Sequence, residues 1–256
     1  MTEEQLLIAV IQDKISECSN NSVITYTDFL DLNKQSDAVA YACRQSDVKW
    51  MLYGGYDDAE RKMMIFIPYY IDDLIDFLKY DPESAPWVVF RADKDNFSTL
   101  SHRDYLGALT GMGIKREKLG DIIVDSGGCS FFAKPEIASY IESEFTSAGR
   151  GTLKVSRLPC FNDFSYSKNT KEKLCFVSSL RLDSVVSAVF SLSRTKASEI
   201  IEKGLAFVND RNVLKPDYKV KEKDKIVIKG LGRAILKDGS SKSKKGRVAL
   251  TAEIFI

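Results

Sequence analysis

Histidine is nearly missing from this 256-residue chain, with His102 the only one. A single imidazole leaves little for general acid–base work and deprives a zinc site of its usual nitrogen ligands. Cysteine is sparse as well. Cys18, Cys43, Cys129, Cys160 and Cys175 are odd in number, far apart and without a C-x-x-C pair, so neither a disulfide framework nor a thiolate metal cluster is expected. They read as small buried thiols of a reducing compartment, and no metal or cofactor is implied. No window of about 18 apolar residues occurs, as a membrane-spanning helix would require. The stretch MTEEQLLIAVIQDK is acidic and amphipathic where a secretory signal would be basic and then apolar. A cytoplasmic location without membrane attachment is therefore expected.

Net charge is scarce too, at 37 Lys and Arg against 36 Asp and Glu, but it is unevenly spread. Residues 1–82 carry 7 basic against 15 acidic side chains, 83–177 carry 13 against 12, and 178–256 carry 17 against 9. The C-terminal part is thus suited to a polyanion and the N-terminal part is not. With 44% hydrophobic and 29% charged residues, the chain is long enough for two or three compact domains.

Residues 1–82 read as an α+β unit. Leu6, Leu7, Val10, Ile11 and Ile15 have helical spacing, a second helix is expected after Ser36 as N-cap, and KWMLYGGYDDAERKMMIFIPYY reads as two strands around a Gly- and Asp-rich connection. The helix IDDLIDFLKY ends before Pro82, and DPESAP marks a boundary. Residues 83–160 then show the order β-α-β-β-α-β, that of the ferredoxin-like plait also used by RNA-recognition modules. The aromatic signature of such a module is incomplete: in SGGCSFFA, Phe131 and Phe132 are adjacent and point to opposite faces, so at most one could serve as a stacking platform, and a core position is the favoured reading for each. Lys115, Arg116 and Lys118, between a helix end and a strand start, are candidate phosphate contacts. Residues 161–177 read as a polar connector packed partly onto a domain.

In residues 178–256, Leu182, Val185, Val186, Val189 and Phe190 form one apolar helical stripe. SLS breaks the helix, Ser193 can cap a second one, and Gly204 can stop it. Arg181 and Arg194 stand at the two helix starts, where cationic side chains and free backbone amides can act together on a phosphate. Thr195 lies beside Arg194, and Lys196 and Lys203 are two turns apart on one flank. A cation in a first helical turn costs about 0.3–1 kcal/mol against the helix dipole, which suggests that Arg194 and Lys196 are kept for an anion. Strands follow in LAFV, KIVIK, RAIL and RVALTAEIFI. KDGSSKSKKG, with Lys237, Lys242, Lys244 and Lys245, reads as a mobile basic finger.

These segments carry a specific resemblance. RLD, SRTKASEII, KGLAFVN, KPDYKV, KDKIVIKG and GR, within residues 180–233, resemble in order and spacing the S-four RNA-binding domain, or alpha-L motif. The turn NDRNV departs from that family's usual Asn-Gly. YGGYDDAERK (53–62) and LSHRDYLGALTGMGIKREKLGDI (100–122) resemble the hallmark segments of the bacterial YlmH family. The resemblance implies an α+β chain of three small domains: an N-terminal unit (1–82), an RRM-like plait (83–160) and, after the connector, an S-four domain (178–256). It also implies RNA binding without catalysis. RqcP, a small relative of the family, binds stalled large ribosomal subunits carrying peptidyl-tRNA during ribosome quality control. The implied partners are therefore ribosomal RNA of the large subunit and tRNA. Arg181 and Arg194 are the implied RNA contacts, with Arg233 of the GR segment among the candidates. A protein partner is expected for the acidic N-terminal unit, and the chain is read as a monomer.

The alternative is an RNA-modifying enzyme. RLD at 181–183 is reminiscent of a pseudouridine synthase, but the Thr-x-Gly such a site needs is replaced by SVVSA. SKSKK at 241–245 imitates a synthetase loop after a β-strand, with no nucleotide-binding fold upstream. SGGCS lies in an expected hairpin where a methyltransferase needs a loop after its first strand. His102 reads as a helix-start residue.

Overall fold

The computed structural model describes residues 2–45, 48–95, 99–158, 164, 170–242 and 248–255, with the backbone alone at 45 and 238–242. The chain forms two compact units, Met1–Ser165 and Tyr166–Ile256.

In the first unit, α1 (Glu3–Asn21) starts on a capping box in which the Thr2 hydroxyl accepts from the Gln5 amide and the Gln5 side chain accepts from the Thr2 amide. Leu7, Ile11 and Cys18 are its buried face. β1 (Thr25–Tyr26) leads to α2 (Leu32–Gln45), which begins four residues before Ser36. Asp31 and not Ser36 supplies the cap, its carboxylate accepting from the Asn33 and Lys34 amides. β2 (Lys49–Tyr53) and β3 (Met63–Ile67) pair antiparallel, and the sheet order is β1-β3-β2. α3 (Leu74–Tyr80), capped by Asp73, ends before Pro82. Every residue of β3 is buried because both faces are covered. Met64 and Phe66 meet the α1 and α2 core, while Met63, Ile65 and Ile67 face a second cluster.

The plait follows as β4 (Val88–Lys94), α4 (His102–Gly111), β5 (Leu119–Val124), β6 (Gly128–Ala133), α5 (Ala138–Glu144), the short β7 (Ser147–Ala148) and β8 (Gly151–Arg157). The sheet order β5-β6-β4-β8-β7, with every neighbour antiparallel, is the ferredoxin-like arrangement. Phe131 faces the helices and stacks on Phe90 at 5.1 Å. Phe132, on the opposite face, is buried with Phe29, Ile65, Trp87 and Val89. A plait used as an RNA-recognition module leaves that face open for bases; here residues from 1–82 cover this part of it.

Short-range geometry locks the joint. The Asp121 carboxylate accepts from the Tyr56 hydroxyl at 2.8 Å and from the Glu60 and Arg61 amides at 2.7 and 3.0 Å. Arg61 donates to the carbonyls of Leu119, Phe29 and Arg116. At Gly55 (φ +99°) a Cβ would come within 2.2 Å of the Phe132 ring, so only glycine admits the close approach. The two hallmark segments, 53–62 and 100–122, thus bind each other.

In the second unit, β9 (Thr170–Val177) is followed by α6 (Leu182–Val189), α7 (Arg194–Glu202), β10 (Ala206–Val208), β11 (Arg211–Asn212), β12 (Lys225–Ile228), β13 (Gly232–Lys242) and β14 (Val248–Phe255), in the sheet order β11-β10-β12-β13-β14-β9. The end of the expected connector is therefore strand: Thr170–Val177 pairs with Val248–Phe255 along its whole length. The local sequence hides this because Cys175 and Val177 enter the core while Leu174 and Phe176 stay exposed. The β10–β11 turn places Asn209 and Asp210 at φ +51° and +64°, the geometry that elsewhere favours Asn-Gly. Asp210 tolerates it with an ion pair to Lys225 at 2.6 Å.

Candidate RNA interface

The apolar stripe expected on the first C-terminal helix is buried: Leu182, Val185, Val186 and Val189 pack with Ala197, Ile200 and Ile201 of α7 over the sheet. The Ser193 hydroxyl accepts from the Lys196 amide at 3.1 Å and caps α7, and Gly204 (φ +72°) follows its end. Lys173 donates to the Ala188 and Val189 carbonyls, a cation on the C-terminus of α6.

Between the two helix starts lies a latch. The Asp183 side chain is 5% exposed. Its Oδ1 accepts from Arg181 Nε at 3.1 Å and from the Ser184 amide at 2.8 Å, and its Oδ2 accepts from Arg181 Nη2 at 3.2 Å and Arg194 Nε at 3.3 Å. Burial alone would raise this carboxyl. The Arg181 and Ser184 hydrogen bonds and the Arg194 charge outweigh burial and hold it below the usual carboxylate range. Two cations share one anion, so the cluster keeps a net positive charge. Arg181 remains 42% and Arg194 54% exposed, and Arg194 meets the shared carboxylate through Nε.

The backbone amides divide differently from the expectation. In α6, Leu182 and Asp183 donate to the carbonyls of Tyr218 and Pro216, and Ser184 donates to Asp183. This start is closed to a phosphate. In α7 the Lys196 amide is used by the cap, and among the described residues the Arg194 and Thr195 amides are left for an outside acceptor. The open amides are thus those of α7, whose Arg194 shares Asp183 with Arg181.

Arg181, Arg194, Thr195 and Lys196 are brought together at the hairpin, the last three exposed. Lys196 makes an exposed pair with Glu199 at 3.5 Å, a weak tether. Lys203 lies past the far end of α7, about 13 Å along the helix. Lys215 and Lys219 were missed by sequence reasoning. They flank the exposed Tyr218 in the segment whose carbonyls hold α6, and Lys219 bridges to Arg181. Their signal was present in KPDYKV, but not the contact with Arg181.

Three of the expected contacts are engaged within the fold. Arg233 is 6% exposed and lies over the Phe255 ring at 3.8 Å, within the sheet. Arg116 donates to the carbonyls of Leu119 and Gly120. Lys118 binds Asp28 and Glu136, each at 2.9 Å. All three are engaged within their own unit; of the plait cluster only Lys115 is exposed. The expected basic finger is strand as far as Lys242, and Lys244 and Lys245 lie outside the described residues. His102 is the first residue of α4, its pKa lowered by burial and by Arg116. Among the described residues no group of three His, Cys, Asp or Glu could hold a metal, and no helix is long and apolar enough to cross a membrane.

Asp183 has a folded pKa below its unfolded value of about 3.9, so its pairing contributes stability above that pH and loses it as pH falls through the folded pKa. Thermal melts of the C-terminal unit should show a drop below about pH 4. Asp183→Asn should lower stability by about 1–3 kcal/mol at neutral pH and flatten that acid drop. An unchanged acid profile in the variant would assign the loss to another group.

A helix pair that holds two cations on a shared carboxylate is thus carried on an antiparallel sheet, in one chain with a plait. Residues 180–226 match the S4 domain, and residues 92–162 match the family described as "Putative RNA-binding domain in YlmH". The "Ribosome-associated protein quality control protein P2" of Bacillus subtilis (strain 168) is 34% identical over 227 residues, covering 89% of this chain and 86% of that protein. The solved structure of the cell division protein ylmH from Streptococcus pneumoniae matches at 15% identity and a TM-score of 0.49, over 64% of this chain and 94% of that one. The chain belongs to the YlmH family.

Proposed function

We infer that this chain is a non-catalytic RNA-binding factor of ribosome quality control, acting in the cytoplasm as a monomer on the large ribosomal subunit carrying peptidyl-tRNA. The name of its Bacillus subtilis relative supports the process. The observation that carries the RNA grip is the pair of half-exposed guanidiniums oriented by buried Asp183 beside the open amides of α7. Arg181, Arg194, Thr195 and Lys196 hold one stretch of phosphates, Lys215 and Lys219 extend it, and Lys203, Lys242, Lys244, Lys245 and Lys115 add peripheral charge. Recognition of this kind reads the shape and backbone of folded ribosomal RNA more than its bases. Residues 178–256 supply the grip, while 1–82 and 83–160 act as one body that engages a protein partner or tRNA.

Asp183, the residue an RNA-modifying enzyme would need in the RLD segment, is occupied by three donor groups and buried, which argues against a nucleophilic role. Two measurements test the function. Association with purified large subunits should weaken with salt at a log–log slope of about −3 to −4 if about four phosphates are neutralised; a slope near zero overturns the grip. Mass mapping of ribosomal RNA from cells lacking the protein should show every modification in place, and a missing one restores the enzymatic alternative.

A further inference from the structure

In the first unit a groove of about 610 Å³ runs between α1, the Tyr26–Asp31 segment and the plait residues Arg116, Glu117, Lys118 and Lys134. This is within the size of built ligand sites. One wall is apolar without need of its own core: Leu6 and Val10, one turn apart on α1, are 56% and 37% exposed, while Leu7 and Ile11 on the same helix are buried. The remaining lining holds six cationic against four acidic side chains, although residues 1–82 as a whole are strongly acidic.

The charges are not equally satisfied. Lys118 and Lys134 share Asp28 at 2.9 and 2.8 Å and also pair with Glu136. Arg61 and Arg116 have no ion-paired carboxylate among the described residues; their bonds go to carbonyls, and Arg116 spends only Nη1 on them. Burial, together with Arg61 beside it, pushes Arg116 down to about 10, which still leaves it charged at neutral pH. A carboxylate entering the groove would relieve that repulsion.

We propose that this groove docks a short amphipathic acidic segment of a partner protein, its apolar side chains against Leu6 and Val10 and a carboxylate at Arg116. The complementarity favours a peptide over RNA. The acidic field of residues 1–82 repels a polyanion over a Debye length of about 10 Å, whereas a segment with one or two carboxylates meets it weakly and gains apolar burial that a phosphate backbone does not. The site is separate from the S-four hairpin and stands whether or not that hairpin binds ribosomal RNA.

A displayed library of short random peptides, panned against the full chain and counter-selected on Leu6→Glu/Val10→Glu, tests this. Both positions are exposed, so the variant should melt with the parent. Recovered sequences should combine carboxylates with large apolar residues, and their affinity should fall at least about tenfold in the variant. Leu6→Ala/Val10→Ala should weaken them less. Basic sequences, or none that distinguish chain from variant, overturn the proposal. So does loss of binding to a structured ribosomal RNA fragment in the Leu6→Glu/Val10→Glu chain, which would make the groove an RNA surface.

Discussion

Replacing Arg181 and Arg194 together by alanine should cost about 3 kcal/mol of RNA affinity, near a hundredfold, since each gives up a charge-assisted contact of about 1.5–3 kcal/mol. The salt slope should fall by about two at the same time, one for each lost phosphate partner. The structure adds a condition to this experiment. Both guanidiniums compensate Asp183, whose side chain is 5% exposed, and stripping them leaves a buried carboxylate with only the Ser184 amide. Breaking a buried pair in that way is strongly destabilising, by about 3–5 kcal/mol in the worst case. The double variant should therefore be compared with one that also carries Asp183→Asn, which removes the orphaned charge. If the triple variant regains parental melting yet still fails to sediment with large subunits, the loss is one of contact. If it is stably folded and sediments as the parent does, the hairpin is not the RNA grip.

Phe132→Ala should destabilise the first unit by about 3–5 kcal/mol, as for other fully buried aromatics. The ring stacks on Tyr56 at 5.5 Å, meets Phe164 edge-on at 5.1 Å and lies against Gly55. RNA affinity per folded molecule should be unchanged. An exposed base-stacking aromatic would behave oppositely, losing about 1–3 kcal/mol of binding and little stability. Urea unfolding and RNA titration of the same preparation separate the two outcomes. The same contacts give a clear expectation for truncation: a chain lacking residues 1–82 uncovers Val89, Trp87 and Phe132 together, and should aggregate where an independent domain would stay soluble.

Much of the architecture was legible from local pattern. Helical spacing gave away α1 and α6, Ser193 and Gly204 marked the ends of α7, and the order of strands and helices in 83–160 implied the plait. Each of these depends on residues a few positions apart, where side-chain periodicity and backbone capping act directly. The candidate site was legible to the same depth: cations at two helix starts in a basic region. What was not legible was the fate of individual charges. Arg116, Lys118 and Arg233 read like Arg194 in one dimension, yet Arg116 bonds the carbonyls of Leu119 and Gly120, Lys118 pairs with Asp28 and Glu136, and Arg233 lies over Phe255.

Periodicity, capping residues and the gradient of charge along the chain were enough to specify most of the helices and strands and to mark the C-terminal part as the one suited to a polyanion, because those properties are local or additive. Tertiary packing decided the rest. It covered part of the plait's sheet face with residues from 1–82, recruited Thr170–Val177 as a strand through pairing with residues more than seventy positions away, and made Asp183 the pivot between two arginines. Whether a cation is a ligand contact or a structural clamp depends on which distant carbonyls and carboxylates fold against it, and no spacing rule within a segment contains that information.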